Sequence, residues 1–232
     1  MARTQRADLA RRADALLDAA AALLLAEGTR RIRIEDVAAR AGVGKGTVYL
    51  HWPNRDHLLL AVGAREAAAM LGAVTAAIEA DPTECAPHRY LRRHFLEAVD
   101  RPVLRRVFDA EGADLDALAA ERARTGLAES RLAADRDYLD ALAAHGLLRA
   151  GLDPSDAEYG MQAVAYGFFA AGPFQAPARH HADLLADVVR RSFEPDPAPP
   201  AARYRDAAPR VLDVFTRLTD EFKRIAYGRA LD

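Results

Sequence analysis

A chain of 232 residues is long enough for one large domain or a small module joined to a larger one, and 51% hydrophobic with 28% charged residues is a folding composition. Its single cysteine, Cys85, excludes an intramolecular disulfide and a thiolate zinc cluster, and suits a reducing compartment. The net charge of −2 conceals an asymmetry: residues 1–57 carry ten Lys/Arg against seven Asp/Glu and the rest twenty-two against twenty-seven, as expected if only a basic head meets an anionic partner. The N-terminal segment is broken by charge every few residues, unlike a signal peptide. The most apolar later run, residues 160–174, contains Gln162 and falls short of the ~20 residues of a bilayer span, so a cytoplasmic location is expected. Thirty arginines against two lysines, with abundant alanine, suggest a GC-rich bacterial source.

In chain order, Leu9, Ala13, Leu16, Leu17, Ala20, Leu23 and Leu24 recur at three and four and predict a helix from Arg6 to Glu27, stopped by Gly28. A short second helix spans residues 34–41, with Glu35 and Asp36 opposing its N-terminal dipole, and a third begins near Gly44 and ends before Pro53. Asn54 caps a fourth, Arg55 to Glu79. Pro87 opens a helix to Val99, Pro102 one to Phe108, and residues 115–144 hold one or two more, with Gly126 as a break. Asp153-Pro154 starts a helix to about Ala171, and another runs from Ala178 to Phe193. Residues 194–209 read as a Pro-rich linker before a last amphipathic helix, 210–227. No segment alternates with period two, so the fold class is all-α.

The stretch GVGKGTVYLHWPNR, Gly42 to Arg55, places three glycines around a lysine. As a Walker loop ending at Gly44-Lys45 it would need glycine at 39 and Ser or Thr at 46, where the chain has Ala39 and Gly46, and a strand before it, where the chain has helical IEDVAARA. A helix-turn-helix reading fits instead: small Ala38 lets two helices approach, Gly42 supplies the positive φ of the turn, and Val48 packs back between them. An ordinary helical hairpin would share that packing. The polar face distinguishes them, because Lys45, Thr47, Tyr49 and His51 point away from the core side taken by Val48 and Trp52 and suit phosphates and base edges, while Gly44 and Gly46 bare backbone amides.

These residues resemble the TetR-type transcriptional regulators, whose signature looks like G-V-S-K-G-T-L-Y-x-H-F-P-S-K-E-x-L where this chain reads GVGKGTVYLHWPNRDHL; the resemblance covers roughly residues 9–62. It implies a DNA-binding domain over residues 1–54 and a helical effector-binding and dimerisation domain over 55–232, joined by the helix 55–79. By the same resemblance, Lys45 and Thr47 lie near bases and backbone, Tyr49, His51 and Arg55 reach phosphates, and Gly44 and Gly46 allow close backbone approach. Three positions depart from the pattern. Gly44 replaces a serine, Arg33 stands where a Thr or Ser caps the second helix and could reach a phosphate by charge or stay solvated, and Leu50 fills a commonly polar place.

For the body, the resemblance implies a dimer interface on two late helices. Gly160, Ala163, Gly167, Leu184, Leu185 and Val188 are its candidate residues, with monomer core the alternative. Phe95, Phe108, Tyr138, Met161, Tyr166 and Phe169 are candidates to line an effector pocket, with plain core packing the alternative for each. His180, His181 and Asp183 do not converge on a helix, His88 and His94 are six apart, and no serine sits in a G-x-S-x-G elbow, so neither a metal, a cofactor nor an enzyme is expected. The expected function is a dimeric, ligand-responsive DNA-binding regulator, most simply a repressor released from a near-palindromic operator by a small apolar effector. A helical enzyme or an interaction module without DNA binding is the alternative.

Overall fold

The computed structural model describes residues 2–28, 32–108, 113–171 and 178–228. Among these residues the chain forms α-helices, one 3₁₀ turn and no strand. In order they are α1 (Ala2–Glu27), α2 (Ile34–Arg40), α3 (Lys45–His51), α4 (Arg55–Ala80), the 3₁₀ turn Pro82–Cys85, α5 (Pro87–Val99), α6 (Pro102–Phe108), α7 (Ala113–Arg124), α8 (Leu127–Ala144), α9 (Pro154–Ala170), α10 (Ala178–Phe193) and α11 (Ala201–Tyr227). Helix starts follow local chemistry. Pro87, Pro102 and Pro154 each open a helix, where a missing N–H costs nothing. Asp153 accepts hydrogen bonds from the Ser155 amide at 2.8 Å and its hydroxyl at 2.6 Å, and Asn54 accepts one from the His57 amide at 2.7 Å.

The expected linker over residues 194–209 is corrected at its second half, because α11 begins at Ala201 and carries Pro209 inside it. An internal proline ordinarily costs about 3 kcal/mol. Here Pro209 faces solvent, so the carbonyl left without its helical donor can bind water. Tyr204, Ala207, Ala208 and Val211 around it are buried and hold the helix down.

The chain divides into two compact units. The first contains residues 1–68, 101–129 and 220–232. Its core gathers Leu16, Leu17, Ala20 and Leu24 of α1, Val37 and Ala38 of α2, Val48 and Trp52, and Leu58 and Val62 of α4, all buried. The leucines and valines among them contribute about 1.5–3 kcal/mol each when fully buried. The second unit contains residues 69–100 and 130–219. There α5 packs on α10 and α10 on α9. Gly160 of α9 makes the second approach possible, since a Cβ at that position would stand 2.8 Å from the Phe193 ring. Helix α4 is long and apolar enough to cross a bilayer by length and composition, yet Leu58, Val62, Leu71, Val74 and Ile78 along it are buried in the protein's own core.

Candidate nucleic-acid interface

Helix α2 buries Ile34, Val37 and Ala38, which fixes the face it turns to α1 and α3. The chain then reverses over Ala41 to Gly44. The Gly42 amide donates to the Ala39 carbonyl at 3.1 Å and the Val43 amide to the Ala38 carbonyl at 3.0 Å, with Gly42 at φ +68. That left-handed conformation is the reason for a glycine at 42. Helix α3 starts from extended Gly44 without a side-chain cap, and the Thr47 amide donates to the Gly44 carbonyl at 2.9 Å.

With Val48 and Trp52 buried, Lys45, Gly46, Tyr49 and Leu50 face solvent and Thr47 is half-buried. The Lys45 ammonium pairs with the Glu35 carboxylate of α2 and lies 5.8 Å from the centre of the Tyr49 ring. Hydrogen bonding in that pair holds the carboxyl below its usual range and the ammonium above its own. Both groups are exposed, so the lysine can exchange Glu35 for another anion at little cost. Arg33 is exposed, on extended backbone, and makes no cap on α2.

Two expected phosphate ligands sit differently. The His51 side chain turns inward, leaving the residue 9% exposed, with its ring centre 5.2 Å from that of Trp52. Burial, then the nearby Arg12 charge, pushes its pKa below the usual histidine value. Its place on α3, next to the buried tryptophan, leaves it little room to extend into solvent. Arg55 is half-buried and engaged within the unit, its Nε donating to the Ile32 carbonyl at 2.9 Å and its guanidinium pairing with Asp56 at 2.9 Å. It ties the approach to α2 onto the start of α4.

Two features of this unit were not expected from the sequence. Arg11 and Arg12 of α1 border a shallow hollow with Asp8, Ala15, Ala41 and Val43, which places two guanidinium groups beside the turn; the adjacent arginines were the available signal. The end of α11 also joins this unit. The Trp52 indole donates to the Ala226 carbonyl at 3.2 Å, the Tyr227 hydroxyl to Asp14 at 2.9 Å, and Arg224 to the Thr125 carbonyl at 3.2 Å. Nothing in the local sequence pairs residue 52 with residue 226.

In the second unit, Phe95 is fully buried and lies 5.1 Å from Phe169, while Tyr138 is buried and donates to the Cys85 carbonyl at 2.9 Å. Met161 is buried as well. Tyr166, expected beside them, is corrected: at 75% exposed it stands on the outer face of α9. The Phe108 side chain lies outside the described residues. Among the expected interface residues, Ala163, Gly167 and Leu184 face solvent and Val188 is half-buried. Leu185 is corrected to core at 0% exposed, and Gly160 meets Phe193 of its own chain, because the inner faces of α9 and α10 pack together. Tyr159, 78% exposed, shares the outer face of α9 and was not anticipated.

Residues 16–62 match the sequence profile of bacterial regulatory proteins, tetR family. No curated protein sequence matches the chain. Solved structures share its fold. SmeT, the repressor of the Stenotrophomonas maltophilia multidrug efflux pump SmeDEF, is 21% identical with a TM-score of 0.56, over 80% of this chain and 91% of that one. NalD, the secondary repressor of the MexAB-OprM multidrug efflux pump in Pseudomonas aeruginosa, is 23% identical with a TM-score of 0.55, over 82% and 98%. The fatty acid degradation regulator FadR from Bacillus halodurans is 16% identical with a TM-score of 0.61, over 76% and 93%. At these identities the likeness is one of fold.

Proposed function

We propose, from a helix-turn-helix head that belongs to the tetR family of bacterial regulatory proteins, that the chain is a non-enzymatic, cytoplasmic regulator that binds double-stranded DNA as a homodimer and is released by a small, largely apolar effector. The observation that carries this reading is the outward face of α3, where Lys45, Tyr49 and Gly46 are exposed while Val48 and Trp52 lock the helix to the core. A major groove accepts such a helix, with its side chains on base edges and phosphates. Lys45 exchanges Glu35 for a phosphate, Thr47 and Tyr49 donate hydroxyls, Gly44 and Gly46 let the backbone approach, and Arg11, Arg12 and Arg33 add positive charge around them. His51 and Arg55 act by positioning α3 and the start of α4.

The outer face of α9 and α10 supports the dimer, since Tyr159, Tyr166 and Leu184 are large side chains exposed together with small Ala163 and Gly167. Two heads then meet half-sites roughly 34 Å apart. Repression with effector release is the simplest sign, and a coupling on the order of 1–3 kcal/mol would suffice for it. Gel retardation on duplex pools selected for binding tests the reading. Retention of one near-palindromic sequence, lost in Lys45→Ala/Tyr49→Ala, is expected; equal retention of every sequence, or none, contradicts it.

A further inference from the structure

Helix α5 carries a side chain that the packing leaves unfinished. His94 Nδ1 is shielded from solvent and has no hydrogen-bond partner. A buried polar atom in that condition is costly, and proteins seldom keep one without a use. Its surroundings are aromatic: Tyr90 meets the imidazole edge-on at 5.7 Å and Phe169 of α9 does so at 6.3 Å, with Phe95 5.1 Å from Phe169. Tyr90 in turn stacks on Phe215 of α11 at 4.9 Å. Tyr90, His94 and Phe169 are half-buried, so the group stands at an edge of the core and not at its centre.

We infer that His94 is the polar anchor of a binding site for a neutral, flat aromatic molecule bearing a hydroxyl group, which hydrogen-bonds Nδ1 and packs against the rings of Tyr90 and Phe169. The inference rests on the effector reading above and gives that effector a chemical class. Ring faces and edges on several sides favour a flat aromatic partner. A hydroxyl both donates and accepts, and so satisfies either tautomer of a neutral imidazole. Burial, with the charge of Arg131, holds His94 neutral by lowering its pKa to about 4. A charged ligand is disfavoured, since it would give up its hydration among apolar rings for a neutral imidazole that offers no opposite charge.

The test uses the full chain with 4-hydroxybiphenyl, biphenyl and biphenyl-4-carboxylate, read by calorimetry, on the natural protein and on His94→Leu. The natural protein is expected to bind 4-hydroxybiphenyl about tenfold more tightly than biphenyl, the worth of one hydrogen bond to a group otherwise left unsatisfied. It is expected to bind the carboxylate more weakly than either. His94→Leu is expected to keep the biphenyl affinity, lose the hydroxyl preference, and melt no lower than the natural protein without ligand. A purely structural histidine would instead lower the melting temperature when replaced. Equal affinity for the two neutral probes, no binding of any probe, or a hydroxyl preference that survives His94→Leu overturns the inference. Gel retardation with the same probes separates it from the effector reading: a probe that binds through His94 and leaves DNA retention unchanged refutes the effector role and not the site.

Discussion

Lys45 and His51 show how one short helix divides its residues between two tasks. Lys45, exposed and paired with Glu35, can be removed without disturbing the core, whereas His51 lies against Trp52. Lys45→Ala is therefore expected to leave the melting temperature within a degree or so while weakening DNA retention about tenfold and flattening its salt dependence, which titration at several salt concentrations checks. His94 makes a separate prediction about acid. Its folded pKa lies near 4, below the ordinary 6.5, so the unfolded chain binds the proton more readily. Stability is fully present above about pH 6.5 and is lost as pH falls toward 4. Because the residue is partly exposed, the loss by about pH 5 amounts to roughly 1 kcal/mol, and His94→Leu should show a shallower decline in thermal melts over that range. Equal slopes would contradict the assigned burial of its charge. Residue types and spacing identified Lys45 and Tyr49 correctly as outward groups, because helical periodicity around Val48 fixes direction. They did not reveal that His51 turns inward and Arg55 is engaged with Ile32 and Asp56, since those outcomes depend on neighbours distant in sequence.

At the scale of elements, helix bounds were legible wherever proline, glycine or an Asx cap marks them: α5, α6 and α9 begin at the prolines that predict them. The start of α11 was hidden because Pro209 and the prolines before it imitate a linker, and tertiary burial of Tyr204, Ala207 and Val211 overrides that local signal. The far end of α11 has a structural role in the head through the bonds from Trp52 to Ala226 and from Tyr227 to Asp14. Tyr227→Phe removes one such bond and should cost about 1 kcal/mol in chemical denaturation, whereas deletion from Asp220 onward uncovers apolar Phe222 and Ile225 contacts and should cost several times more. An unchanged denaturation midpoint for the deletion would show that the helix end is dispensable. At the turn, Gly42→Ala forces a left-handed φ on a residue with a Cβ and should destabilise the head by about 1 kcal/mol, although the space around it is open.

For the whole molecule, the all-α class followed from the absence of period-two segments and the profusion of helix signals, and the resemblance to tetR-family regulators rests on a signature in the head, within residues 16–62. The body was legible only as helices, since which face of α9 and α10 turns inward depends on packing. Gly160 and Leu185 face the chain's own core while Tyr159, Tyr166 and Leu184 remain outside. If that outer face joins two copies, Tyr166→Glu with Leu184→Glu should convert a dimer to a monomer in sedimentation and weaken DNA retention by more than tenfold, through loss of the second half-site. Dimeric operator binding is tested most directly by hydroxyl-radical footprinting of the natural protein on its best selected duplex. Two protected half-sites related by a twofold axis about one helical turn apart are expected, both absent with Lys45→Ala/Tyr49→Ala. Protection of a single asymmetric half-site, or a footprint that persists in the double variant, would overturn dimeric binding through α3.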